Sequence, residues 1–193
     1  MTKVSKKDPV HLHSQQNLFS GFVKVDELKL YVEDKETYIR RFVVRRPEAS
    51  CILLYNKDNH SFVFIRQFRA PLFGKEDSAY ILEVPAGVLN AGENPMETII
   101  RECLEETGYQ ISHPQWLTTI YPSPGILDEK IHLFFAEVAN SDKVTSGGGL
   151  ESEHEYLEVM EIPVDEAYEM VESGEIIDGK TISCLFFAKN RIK

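Results

Sequence analysis

The stretch "GVLNAGENPMETIIRECLEETGY", Gly87 to Tyr109, constrains the fold more than any other part of the chain, because it carries complete helix punctuation. Asn94 is an N-cap type, Pro95 suits the first helical position, Glu97 stands at the capping-box position and Gly108 falls just past the end. The spacing predicts a helix ending at Thr107, with Met96, Ile99, Ile100, Cys103 and Thr107 as one stripe facing a core. At about 100° per residue, Glu102, Glu105 and Glu106 share a separate arc beside that stripe. Like charges at i and i+4 cost a few tenths of a kcal/mol on an exposed helix and more when partly desolvated, so something positive is expected beside them. Arginine pairing and hard divalent cations such as Mg²⁺ both supply positive charge to carboxylates. Only Arg101 lies within the segment, and its place near Glu105 is expected to hold one acid, not three. Metal therefore fits better, against the bland alternative of a solvated acidic face.

Around this helix the chain reads mostly as strands. "FVKVDELKLYVE" and "TYIRRFVVRR", joined by the turn "DKE", suggest an antiparallel pair after a polar leader. "SCILLYN" and "SFVFIRQFR" suggest a second pair, "AYILEVP" a short strand, and "QWLTTIYPS", "KIHLFFAEV" and "EYLEVMEIP" three more. Two helices close the chain, "VDEAYEMVESG" and "DGKTISCLFFAKN", the latter with Asp178 as N-cap. Strands around one strongly marked helix, with helices at the end, predict an α+β fold with a mixed sheet. With 193 residues and 42% hydrophobic side chains the chain suits one globular domain with a small appendage. The net charge of -10 works against nucleic acid or anionic lipid as partners. Cys51, Cys103 and Cys184 lie in separate apolar runs without metal-site spacing and read as reduced, buried thiols. No apolar run approaches the roughly 20 residues of a membrane span and "MTKVSKKDPVHLHSQQ" lacks an apolar core, so the cytoplasm is the expected compartment. His132 reads as a sheet residue and Trp116 as packing.

The decisive signal is spacing. Gly87, Glu93, Arg101, Glu102, Glu105, Glu106 and Gly108 stand at intervals that resemble the signature of the Nudix hydrolases, with all seven fixed positions matched. At roughly 5 to 7% usage per residue type, such a coincidence arises by chance about once in 10⁸ to 10⁹ starting points. Cys103 and Tyr109 depart from the branched aliphatics the family prefers there, while staying apolar enough to pack. "FVFIRQFR", "LEVPAG", "YPSPGILDE" with Pro124, the loop "GGGLESEHE" and "GEIIDGKT" resemble the branch acting on nucleoside diphosphate sugars, leaning towards its GDP-mannose and UDP-glucose members.

The resemblance implies an α/β/α sandwich of the Nudix type, with the marked helix as its central catalytic helix and an additional N-terminal antiparallel sheet. It divides the chain into a leader with dimerising strands over 1–48 and a Nudix domain over 49–193. It implies Mg²⁺-dependent hydrolysis, with Mn²⁺ as a substitute, of a pyrophosphate bond in an ADP-ribose, GDP-mannose or UDP-glucose type of substrate. Glu102, Glu106 and the Ala86 carbonyl would ligate metal, with Glu105 as a further ligand or close support; Glu93 would orient Arg101. The general base is expected from the loop: Glu153 first, Glu151 next, with Glu155 as an additional ligand. Arg69 matches a diphosphate-binding position, Arg46 a base or ribose contact, and Glu129 a contact to the terminal sugar. A homodimer is expected. The competing readings are a non-hydrolytic nucleotide-sugar sensor on the same scaffold and a hydrolase of nucleoside triphosphates.

Overall fold

In the computed structural model, which describes residues 9–150 and 156–192, ten strands and three α-helices follow one another among those residues. They form two units. The first takes the described residues up to Pro47 with Ser123–Glu129, and the second takes Glu48–Pro122 with the described residues from Lys130 onward.

The first unit is an antiparallel sheet in the order β1 (Val10–Ser20), β2 (Lys24–Val32), β3 (Thr37–Arg45). β2 and β3 are the pair expected from sequence, whereas β1 occupies part of the stretch read as a polar leader. "VHLHSQQNLFS" lacks a clean period of two and every one of its residues is exposed. Backbone pairing makes it a strand, from Val10 opposite Val32 to Ser20 opposite Lys24, with two irregularities in register. Residues 123–129 lie along β3: the Val44 N–H donates to the Ile126 carbonyl at 2.8 Å, and the Asp128 N–H to the Val44 carbonyl at 3.3 Å. Asp26, buried in this sheet, accepts from Arg45, Asn17 and Gln15, and with those bonds, Arg45 foremost, its carboxyl lies below the usual range.

The second unit is built on a seven-stranded mixed sheet. Its strands are β4 (Ala49–Asn56), β5 (Ser61–Phe68), β6 (Tyr80–Glu83), β7 (Ala86–Val88), β8 (Gln115–Ile120), β9 (Ile131–Val138) and β10 (Glu158–Pro163). The main order is β10-β5-β4-β9-β8, with β6 on β5 and β7 on β4. β4 and β9 run parallel and the other pairs antiparallel. β4 is buried at every position, because helices cover both faces. Ile52 and Leu54 pack with Ile99 and Cys103 of α1 (Pro95–Thr107). Cys51, Leu53 and Tyr55 pack in the other cluster, with Val164 and Ala167 of α2 (Val164–Ser173) and Leu185 and Ala188 of α3 (Gly179–Ala188). Each large apolar side chain so buried contributes about 1.5–3 kcal/mol. This is the expected α/β/α sandwich. Cys51 and Cys184 meet inside it with sulfurs 3.8 Å apart, as free thiols. Trp116, read from sequence as packing, is 60% exposed, on β8, which ends the sheet order among the described residues.

Candidate active site

The catalytic-helix candidate begins as its sequence predicts. The Asn94 side chain accepts the Met96 and Glu97 N–H groups at 3.0 and 3.1 Å, and Glu97 accepts the Asn94 N–H at 3.0 Å. Ser50 of β4 donates to the Pro95 carbonyl at 2.9 Å, which pins the helix start to the central sheet. The buried arc differs from the predicted stripe: Thr98, Ile99, Cys103, Glu106 and Thr107 face inward, while Met96 is exposed. The polar members can be buried because each has a partner. Thr98 donates to Glu93 and to the Asn94 carbonyl, Thr107 to the Cys103 carbonyl, and Glu106 accepts the Ala86 N–H.

Glu102 and Glu106, one helical turn apart, close over the dipeptide Ala86–Gly87. β7 holds that dipeptide against β4, with Cys51 opposite Ala86 and Ser50 opposite Gly87. Glu106, 2% exposed, accepts the Ala86 N–H at 2.8 Å. Glu102 lies so close to Gly87 that a Cβ there would stand 1.9 Å from its carboxylate. Only glycine fits.

Arg101 corrects the expectation that it holds one acid. Its Nε and Nη2 donate to the two oxygens of Glu93 at 3.0 and 3.1 Å, and its Nη1 lies 2.8 Å from Glu102 and 3.0 Å from Glu105. Helical spacing suggested only the Glu105 contact; the fork geometry of guanidinium and the return of the preceding loop supply the others. The Arg101 bonds and the Asn90 N–H hold the Glu93 carboxyl down at about 2. Three carboxylates, Glu93, Glu102 and Glu105, face one guanidinium, a surplus of two negative charges, and Glu106 adds a further carboxylate at the Ala86 N–H. Among the described residues no three metal-ligating side chains converge as a finished cluster. The set nevertheless suits a hard divalent cation: its donors are all oxygen, its charge is in excess, and Gly87 leaves the backbone bare beneath Glu102.

A second charged group was only half visible in sequence. Arg69, just beyond β5, donates to both oxygens of Glu83 at 2.6 and 2.5 Å. Lys180 of α3 donates to the same carboxylate at 2.5 Å and lies 3.1 Å from Asp178. Burial pushes the Glu83 carboxyl up, and the Arg69 and Lys180 contacts outweigh it, leaving it below its ordinary value. Arg69 also feels the charge of Glu106. No local period marks Glu83 or Lys180 in the sequence, although a glutamate inside the apolar "YILEVP" is a usable signal.

Arg46 and Glu129 lie in the first unit, where they meet each other at 3.6 Å, and the Arg46 guanidinium sits 5.2 Å from the centre of the Phe22 ring. Glu151, Glu153 and Glu155 lie outside the described residues. The chain leading to them is anchored: Gly148 and Gly149 donate to the Glu106 and Glu105 carbonyls at 2.8 and 3.2 Å, and Leu157 donates back to the Gly148 carbonyl at 3.1 Å. Gly108 allows this approach, having φ +78° and no side chain to strike Thr145. His132 lies in the sheet, with its imidazole 2.8 Å from Glu48 and 3.1 Å from Thr119.

The model of the NUDIX domain matches residues 44–182. The chain belongs to the NUDIX family. Similar proteins include the GDP-mannose pyrophosphatase of Citrobacter koseri, 41% identical over 147 residues, covering 76% of this chain and 75% of that one. The GDP-mannose pyrophosphatase of Escherichia coli (strain SMS-3-5 / SECEC) is 42% identical over the same shares. Among solved structures, one described as an ADP compounds hydrolase superposes with a TM-score of 0.78 over 97% of this chain and 96% of that chain, at 19% identity, which speaks for the fold. This NUDIX protein is a hydrolase, in the nucleotide-sugar pyrophosphatase branch that its sequence resembles. Among the described residues none of its helices is long and apolar enough to cross a membrane.

Proposed function

We propose that this NUDIX protein hydrolyses the pyrophosphate bond of a nucleoside diphosphate sugar, with GDP-mannose the leading substrate, to a nucleoside monophosphate and a sugar phosphate. The observation that carries the reading is the placement of Glu102 and Glu106 over Ala86–Gly87, where an added Cβ would lie 1.9 Å from the Glu102 carboxylate. The printed names of the GDP-mannose pyrophosphatase relatives favour the substrate. Glu102, Glu106 and the Ala86 carbonyl would hold Mg²⁺ or Mn²⁺, with Glu105 as a further ligand or support. The cation would neutralise diphosphate oxygens and lower the pKa of the attacking water.

The chain's own groups then have separable tasks. Glu93 fixes Arg101, and Arg101 spaces Glu102 from Glu105, so loss of Glu93 harms geometry more than chemistry. Arg69 offers its charge to the diphosphate; Arg46 and Glu129 serve the base or ribose and the terminal sugar. A loop glutamate, Glu153 first and Glu151 next, takes the proton from water, with Glu155 as an added ligand. The exposed β1 of the N-terminal sheet supports a homodimer, since among the described residues it ends its sheet with Leu12, Leu18 and Phe19 exposed, which favours a partner. Buried free thiols accord with a cytoplasmic setting.

The test is product release from GDP-mannose, UDP-glucose, ADP-ribose and nucleoside triphosphates, with and without Mg²⁺, beside the Glu106→Gln variant. Expected is one nucleotide sugar cleaved far above the rest, with turnover lost on chelation and in the variant. Binding of nucleotide sugars without any turnover would instead select the sensor reading. Sedimentation as a monomer would remove the dimer.

A further inference from the structure

On the nucleotide-sugar reading of the site, we infer that Tyr109, Asn56 and Glu161 are positioning residues for hydrolysis: they fix where the far end of α1 stands along β4, and so where Glu102 and Glu106 stand over Ala86–Gly87. Both halves of the site are referenced to β4. β7 carries Ala86–Gly87 on that strand, opposite Cys51 and Ser50, and α1 packs on it through Ile99 and Cys103 against Ile52 and Leu54. Apolar contacts have no direction, so they do not by themselves set the axial position of a helix. The polar contacts that can set it lie at the two ends.

At the start of α1, Ser50 holds the Pro95 carbonyl at 2.9 Å. At the other end of the same strand, Asn56 donates to the Tyr109 hydroxyl at 3.1 Å, and that hydroxyl donates to Glu161 of β10 at 2.5 Å. The six residue steps from Ser50 to Asn56 make about 20 Å of strand, and the 13 residues of α1 make about 20 Å of helix, so the two fastenings match in length. Strand and helix are held in register from both ends.

Glu161 is the hub of the far fastening. Besides Tyr109 it accepts from Asn56, Asn59 and Ser61 at 3.1, 2.9 and 3.2 Å. Tyr109 and Asn56 are fully buried, and burial, followed by the Glu161 contact, pushes the phenol up, so its hydroxyl stays a donor. A phenylalanine would fill the same space without desolvating a hydroxyl; what the hydroxyl adds is direction. Tyr109 also stands where the family pattern has a branched aliphatic, which packs but cannot make this bond. β10 meets the same helix end a second time, because Leu157, just before it, donates to the Gly148 carbonyl, and Gly148 donates to the Glu106 carbonyl. A slide of α1 by about 1 Å would carry the Glu106 carboxylate away from the Ala86 N–H, and a misplacement of that size costs up to about 10²-fold in rate.

Tyr109→Phe removes the hydroxyl alone and leaves Glu161 its other donors. Tyr168→Phe is the control, since it also removes a half-buried hydroxyl, one that donates to the Leu185 carbonyl at 3.1 Å, but from α2. Each protein is read by hydrogen exchange of the Ala86 amide in the metal-free state, by Mn²⁺ affinity from the paramagnetic resonance of the free ion, and by kcat and KM for GDP-mannose. In Tyr109→Phe the Ala86 amide should exchange about tenfold faster, with Leu53 and Leu54 exchanging as in Tyr168→Phe; Mn²⁺ should bind about threefold more weakly, and kcat should fall about tenfold with KM within about twofold. Tyr168→Phe should keep wild-type values of all of these. Glu161→Gln, which makes the bond to Tyr109 a neutral one, should lower kcat about threefold and decides alone if Tyr109→Phe does not fold. Ala86 exchange in Tyr109→Phe equal to that in Tyr168→Phe would overturn the inference whether or not the melting temperature falls, and so would an unchanged kcat. A wild type that cleaves no nucleotide sugar would sink the substrate reading, while Ala86 exchange in the metal-free protein still judges the positioning role.

Discussion

Two ion clusters in the second unit are near mirror images. At α1 one guanidinium, Arg101, is shared among Glu93, Glu102 and Glu105. At Glu83 one carboxylate is shared between Arg69 and Lys180. The first has acid in excess and is suited to recruit a cation; the second presents a cation at its end and is suited to meet an anion. Metal-assisted hydrolysis of a diphosphate would use both, since the cation would be held by fixed acids and the anion by fixed cationic side chains. The difference also lies in how each is assembled. The α1 cluster draws its members from the thirteen residues Glu93 to Glu105, whereas Glu83 is joined to Arg69 across 14 positions and to Lys180 across 97.

The comparison can be broken or sharpened by substitution. The largest effect is expected at the acid-rich end: Glu106→Gln, measured with Mg²⁺ and GDP-mannose, should lose about 10³-fold in kcat, because a ligand role acts on the chemical step. Retained activity would mean that the acidic cluster is structural. Gly87→Ala should follow, with a loss of about 10²-fold from displacement of Glu102 and no matching fall in melting temperature. At the cation end, Arg69→Lys should mainly raise KM, by about tenfold, since lysine cannot bind the Glu83 carboxylate as a fork and still address phosphate. A kcat effect without a KM effect would place Arg69 in the chemistry instead.

The smallest effect concerns pH and stability. Glu93 titrates near 2 in the folded protein against an ordinary 4.5, so its contribution is present above 4.5 and drains away as the pH falls towards 2. Melting temperatures through that window should therefore fall more steeply for the wild type than for Glu93→Gln. Parallel curves would show that the Arg101 contact adds nothing to folding.

The α1 half of this picture was legible in the sequence for a physical reason. Caps, helical period and the intervals between Gly87, Glu93, Arg101 and Glu106 are short-range constraints, and each residue's place on the helix follows from its number. Buried apolar runs such as "SCILLYN" likewise announced the central strands. The reading was weaker where side-chain reach or backbone pairing decided the outcome. Arg101 collected three acids because a guanidinium has donors in several directions, and β1 formed through pairing with β2 although its side chains show no pattern. The sequence alone therefore determined the catalytic-helix candidate, its acids and the family. Only the tertiary structure decided that Glu83, Arg69 and Lys180 belong to one cluster, because contacts between distant positions depend on how strands and helices cross, and no local period records that.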